Sequence, residues 1–160
     1  MNPRQSLREH RSFTHHIPTL PGEVFPLLCP VREFEWLSGW QCAMVHSQSG
    51  KAEKGAVFIT ETPGEEPTVW TISRHDPAAR VVEFVCVTPG SRVRVLEIAC
   101  VENPSGGTDL TWTHDYTALG KAGEAFLSNF TPEAYRKTMS FVTRSLDHFC
   151  RTGLRLPPEA

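Results

Sequence analysis

Residues 109 to 118 read Asp-Leu-Thr-Trp-Thr-His-Asp-Tyr-Thr-Ala. This strict alternation sends Leu110, Trp112, His114 and Tyr116 to one side of a strand and Thr111, Thr113, Asp115 and Thr117 to the other. So large and aromatic a face is stable only when another element covers it. The sequence offers one long enough, the stretch from 132 to 151, where Tyr135, Met139, Val142, Leu146 and Phe149 recur at helical spacing and make a single apolar stripe. Its start is marked by Thr131 as N-cap, Pro132 at the first helical position and Glu133 near the positive end of the dipole. Gly153 supplies the stop. A helix of that length spans about 30 Å, enough to cross a whole sheet.

The rest of the chain supplies that sheet. Residues 11–18 predict a first strand, followed by two short helices over 20–29 and 31–36; Pro26 strains the first of these and Pro30 ends it. From Trp40 the period becomes two. Strands are expected over 40–46, 55–62, 68–74, 81–88, 92–102 and 109–118, separated by turn residues such as Pro63-Gly64, Pro89-Gly90 and Asn103-Pro104-Ser105-Gly106-Gly107. Six consecutive strands on short turns make an antiparallel meander, and the strand before the helices makes seven. A short helical piece holding Ala125, Phe126 and Phe130 precedes the long helix. The expectation is an α+β domain: a curved seven-stranded antiparallel sheet gripping a long C-terminal helix, with a cavity between them. Residues 1–10 are expected as a flexible arm, 11–153 as the domain and 154–160 as a tail.

A chain of 160 residues folds around one core without needing a disulfide or metal staple. Its 16 basic and 18 acidic side chains give no extended field for a nucleic-acid backbone or an anionic membrane. No stretch approaches the roughly 20 apolar residues that span a bilayer, and residues 1–12 lack the apolar core of a signal peptide, so a cytoplasmic location is expected. Cys29, Cys42, Cys86, Cys100 and Cys150 form an odd set with no close pair, which fits free thiols in a reducing compartment.

The order of elements, together with the segment Val24-Phe25-Pro26-Leu27-Leu28-Cys29-Pro30-Val31-Arg32-Glu33-Phe34-Glu35-Trp36-Leu37-Ser38-Gly39-Trp40, resembles the START-like, or SRPBCC, superfamily. Its bacterial members carry a Val-Phe near the start of the first helix pair and a Trp before the second strand. The resemblance spans nearly the whole chain and implies the helix-grip fold. Members include lipid-transfer and other ligand carriers, polyketide cyclases, dehydratases and co-chaperone activators, so the fold alone does not choose an activity.

Candidate site residues follow from strand parity. Trp40, Cys42, Met44 and His46 share one face of the second strand, Trp70, Ile72 and Arg74 one face of the fourth, and Leu110, Trp112, His114 and Tyr116 one face of the last. With Trp36, Met139 and Val142 they would line an aromatic cavity carrying a few polar groups, suited to an apolar ring system with one or two oxygens. The plainer alternative is that these faces pack as solid core. His114 is the leading proton carrier, since an ordinary imidazole pKa near 6.5 suits acid–base work, with Tyr116 as hydrogen-bond donor; the alternative is a neutral ring satisfied by a carbonyl or hydroxyl. Arg74 offers a charge for a carboxylate or enolate, against a solvated place at a strand end. Glu33 or Glu35 would become a catalytic acid if held against Trp36, against the simpler reading of an exposed helix face.

Cys42 and His46 stand about 13 Å apart along one strand and cannot pair. His15 and His16 face opposite ways, and no metal-ligand spacing, phosphate loop, serine elbow or dinucleotide fingerprint occurs, so neither metal nor cofactor is expected. The sequence thus points to a small hydrophobic or aromatic partner, with cofactor-free cyclase- or dehydratase-type chemistry as an option. Whether the chain is an enzyme, and whether it forms a homodimer, stays open. The rival is a protein-interaction or regulatory module without a cavity.

Overall fold

A computed structural model describes residues 6–158. The chain runs β1 (Arg8–Ile17), α1 (Pro21–Val24) with a 3₁₀ turn (Phe25–Leu28), α2 (Pro30–Trp36), β2 (Ala43–His46), β3 (Val57–Thr60), β4 (Thr68–Asp76), β5 (Val81–Thr88), β6 (Arg92–Glu102), β7 (Thr108–Ala118), α3 (Lys121–Asn129) and α4 (Pro132–Thr152). All seven strands form one antiparallel sheet in the order β1-β7-β6-β5-β4-β3-β2. β2 to β7 are the expected meander. β1 lies beside β7, and α1 and α2 carry the chain from that edge of the sheet to the other. Pro26, which denies the backbone a donor, falls where α1 gives way to the 3₁₀ turn.

β1 begins at Arg8, inside the stretch expected as a loose arm; residues 1–5 of that stretch lie outside the described residues. The expected tail is tied down in part, since Arg155 donates to the Phe34 carbonyl at 3.3 Å; its last two residues also lie outside the described ones. The five cysteines are free. Among the described residues no helix is long and apolar enough to cross a membrane.

α4 covers the inner face of the sheet. Thr131 accepts from the Ala134 backbone N–H at 3.2 Å, and Gly153 takes the left-handed conformation (φ 70°) that closes the helix. Its stripe of Tyr135, Met139 and Leu146 is buried, with Val142 and Phe149 packed on the same core. The helix runs alongside β1. Its beginning lies over the Arg11 end, where Arg11 donates to the Phe130 carbonyl at 3.1 Å, and its later turns bring Asp147 near His15.

Candidate functional site

Antiparallel register assembles the site by placing one residue per strand in a row. Glu9, Tyr116, Arg94, Cys86, Trp70, Phe58 and Met44 stand side by side across the inner face, each paired with the next. The adjoining row holds Arg11, His114, Leu96, Phe84 and Ile72. On the β2 side the rows meet an aromatic cluster. The Phe58 and Trp70 rings stack at 5.1 Å between centroids, while Trp40 and Phe84 meet Trp70 edge-on at 5.9 Å. Three of the four indoles donate to fixed acceptors: Trp36 to the Leu27 carbonyl, Trp40 to the Pro30 carbonyl and Trp70 to Thr60 Oγ1, at 2.8 to 2.9 Å. The fourth, Trp112, keeps its Nε1 buried without a partner among the described residues.

Between these rows, α2 and α4 lies a hollow of about 150 Å³. Pro30, Glu33, Trp36, Leu37 and Trp40 line it from the α2 side, Phe58, Trp70, Phe84, Arg94, Leu96, Ile98, Trp112 and His114 from the sheet, and Thr138, Met139 and Val142 from α4. A wider, more open cavity of about 550 Å³ adjoins it at the Tyr116 end of the sheet. Its walls include Gln41, Thr60, Thr62, Glu65, Thr68, Cys86, Thr88, Arg92, Tyr116 and Phe126, and it shares Trp40, Trp70 and Arg94 with the inner hollow. Gly123 lets α3 close against this mouth, because a Cβ there would collide with the Ser91 carbonyl.

Of the residues singled out from sequence, Trp36, Trp40, Trp70, Trp112, His114, Met139 and Val142 line the inner hollow, and Tyr116 the outer cavity. Ile72 and Leu110 are inward but fully enclosed in solid core. Cys42 and Met44 are half-buried against that core and line neither space; the Cys42 thiol points to the Pro30 carbonyl at 3.8 Å. His46 and Arg74 are corrected outright, since both are exposed. The register shifts between Met44 and His46 in β2 and between Ile72 and Arg74 in β4. Each irregularity adds a residue and turns the next one to the opposite face. Arg74 pairs instead with Asp76 at 3.2 Å.

His114 is held, not free. The Tyr135 hydroxyl lies 3.4 Å from the Trp112 carbonyl, to which it donates, and 3.1 Å from His114 Nδ1. Where the hydroxyl gives its proton to the Trp112 carbonyl, Nδ1–H donates to it and Nε2 is the acceptor. Burial pulls the imidazole pKa down to about 3, with the Arg94 charge adding to the effect. His114 therefore stays neutral across the physiological range, which answers the expectation of an ordinary imidazole pKa.

Glu33 departs from the exposed-face reading. It is only 8% exposed, and burial pushes its carboxyl up to about 8 against the opposing pull of the Arg94 charge. Among the described residues no hydrogen bond engages that carboxyl. A protonated acid beside an apolar hollow is a competent proton donor near neutrality. Glu35, by contrast, points to water and pairs with Arg32 at 2.7 Å. Sequence reasoning also passed over Arg94. It lies 3.2 Å from the Tyr116 hydroxyl and 3.5 Å from Cys86 Sγ, with its guanidinium 4.4 Å from the centre of the Trp70 ring. The signal was present: Glu33 stands three residues before the buried Trp36 on one helical turn, and Arg94 two residues before Leu96, Ile98 and Cys100 on one strand face.

Comparison with known proteins bears on this arrangement. A comparison with curated protein sequences gives no match. The structure of norcoclaurine synthase from Thalictrum flavum, in complex with dopamine and hydroxybenzaldehyde, is similar with a TM-score of 0.66 at 9% identity, over 90% of this chain and 87% of that one. Major latex-like protein 151 from Panax ginseng gives 0.67 at 16% identity, over 94% and 99%. A protein of unknown function from Staphylococcus aureus gives 0.68 at 11%, over 93% and 97%. At such identities the likeness is one of fold alone. The family model described as polyketide cyclase / dehydrase and lipid transport matches residues 10–148, nearly the whole domain, and the chain belongs to that family.

Proposed function

We propose that the protein binds a small aromatic or otherwise hydrophobic metabolite in the hollow between the sheet and α4, with the outer cavity as its entrance. The observation that carries this reading is that the two spaces adjoin, with Trp40, Trp70 and Arg94 lining both. An aromatic chamber adjoins a wider, more polar vestibule, an arrangement that suits a ring system with substituents near water. The norcoclaurine synthase neighbour, whose structure was solved with two aromatic compounds, supports the choice of ligand class.

Any chemistry here would fall to groups already in the walls. Glu33, protonated near neutrality, would donate a proton to a carbonyl or hydroxyl of the bound molecule, and His114 Nε2 would accept a hydrogen bond and orient it. The function requires neither metal nor cofactor in this reading.

The test is a thermal-shift screen of aromatic and polyketide-like compounds, joined to native mass spectrometry of freshly isolated protein. The variant Val142→Trp fills the inner hollow. It is expected to keep the fold and abolish every shift seen with the parent. Shifts that survive the blocking would place the ligand elsewhere, and a screen without any shift would favour an interaction module.

A further inference from the structure

Three arginines project from the inner face near the Tyr116 end of the sheet, and two of them are matched. Arg11 pairs with Glu9 at 2.8 Å. Arg92 makes a two-pronged pair with Glu65 at 2.8 and 2.9 Å and lies over the Phe126 ring. Arg94 is different: among the described residues it has no carboxylate within ion-pair distance. Its neighbours are a phenol, a thiol and an indole face, and the nearby Glu33 carboxyl is neutral near pH 7. An arginine keeps its proton under all ordinary conditions, so the junction of the two cavities carries one uncompensated positive charge in apolar surroundings. Leaving a charge there unpaired is costly, and an entering anion would remove that cost.

From this geometry we infer that the molecule taken up is an aromatic acid: its ring system enters the inner hollow beside Trp40 and Trp70, and its carboxylate meets Arg94 and the Tyr116 hydroxyl at the junction. The inference rests on the ligand-site reading above and adds the charge of the ligand to it. Neutral Glu33 and neutral His114 suit this role, since neither repels an anion, and the Glu33 proton is free to be donated to a second oxygen. Arg92 is not an equivalent site because Glu65 already occupies both prongs of its guanidinium.

The experiment measures binding of 2-naphthoate and of its neutral isostere 2-naphthamide, by calorimetry and by quenching of tryptophan fluorescence. The parent protein is expected to prefer the acid by tenfold or more. Arg94→Met, which keeps the apolar stem and removes the charge, is expected to bring the two affinities together by weakening the acid alone. Tyr116→Phe, a milder change whose fold is checked by thermal melting alongside, is expected to narrow the preference several-fold, and it serves where Arg94→Met does not fold. Equal binding of acid and amide by the parent overturns the inference and leaves the ligand site standing. A preference that persists in folded Arg94→Met or is unmoved in Tyr116→Phe overturns it as well. Failure of both probes to bind the parent would remove the ligand-site reading and this inference with it.

Discussion

The two ends of the face covered by α4 are built differently. At the far end, Ile17, Leu110 and Leu146 are completely buried, Val24 is equally enclosed and Thr108 gives its hydroxyl to the Thr19 carbonyl at 2.7 Å. Branched aliphatic side chains interlock there as in any dense interior. At the near end the inward rows carry Trp70, Phe58, Trp112 and Arg94, rigid or charged groups that border open space. Both ends hold awkward polar groups. The far end has His15, whose two ring nitrogens lack hydrogen-bond partners among the described residues, and Asp147 Oδ1, likewise unpartnered there; the near end has Glu33 and Arg94. The near pair lines the hollow, where a polar group can meet a foreign molecule. Empty space, more than residue type, separates a candidate site from a structural oddity.

The largest effects should come from removing side chains at the two ends in turn. Leu146→Ala deletes a fully enclosed side chain from the dense end and is expected to cost about 4 kcal/mol, because the surroundings cannot collapse around the loss. Met139→Ala removes a wall of the existing hollow and is expected to cost about 2 kcal/mol, the low end for such a change. Urea unfolding of both variants checks the difference. Equal costs would mean that the hollow is as tightly supported as the core.

Glu33 and the buried histidines respond oppositely to pH. Glu33 has its folded pKa raised from 4.5 to about 8, so the folded state binds the extra proton. Its contribution is fully present below pH 4.5 and is lost as pH rises through 8, at up to about 1.4 kcal/mol per pH unit. For His15 burial is the main cause of a shift the other way, from 6.5 to about 4. That places the stabilising neutral form above pH 6.5 and loses it as pH falls towards 4. His114, lowered to about 3, acts in the same sense as His15. Glu33→Gln is therefore expected to remove the fall in stability between pH 4.5 and 8 and so to steepen the rise that the histidines cause below pH 6.5, whereas His15→Leu should ease that rise alone. Denaturant midpoints between pH 5 and 9 report both.

A smaller effect is expected from Tyr135→Phe. The change deletes the hydroxyl that lies between His114 Nδ1 and the Trp112 carbonyl and should cost about 1 to 2 kcal/mol, since the buried His114 Nδ1 loses its partner. Thermal melts check it. A cost near zero would show that water replaces the hydroxyl and that the hollow reaches further along α4.

The contrast between the ends was only half legible in the sequence. Alternation in β7 and the stripe on α4 disclosed which faces meet, since both periods run unbroken for ten residues or more. The aromatic wall followed from the same alternation. The charged part of the site did not, for two physical reasons. In β6 the outer Val93 and Val95 are as apolar as the inner Leu96 and Ile98, which hides the parity that sends Arg94 inward, and only pairing with Cys86 and Tyr116 reveals it. In β2 and β4 a local irregularity interrupts a run whose parity was clear, and alternation has no means of announcing an inserted residue.

Arg74 puts that last point to a small but sharp test. Strict alternation from Trp70 and Ile72 would place it in the cavity wall as the cation for an acidic ligand, whereas the irregularity at Ser73 turns it to solvent beside Asp76. An exposed pair of this kind contributes little, so Arg74→Ala is expected to change stability by less than about 0.5 kcal/mol and to leave the acid-over-amide preference intact. Arg94 lies on an uninterrupted strand and carries the opposite expectation. Deleting Ser73 extends the test, because removal of the extra residue leaves Ile72 opposite Phe84 and Arg74 opposite Glu83, so that regular alternation keeps Arg74 on the outer face. The deletion is therefore also expected to leave the acid-over-amide preference intact. A preference altered by either change would show that Arg74 reaches the cavity, whereas a preference moved by neither leaves Arg94, on its uninterrupted strand, as the cation that decides what the cavity accepts.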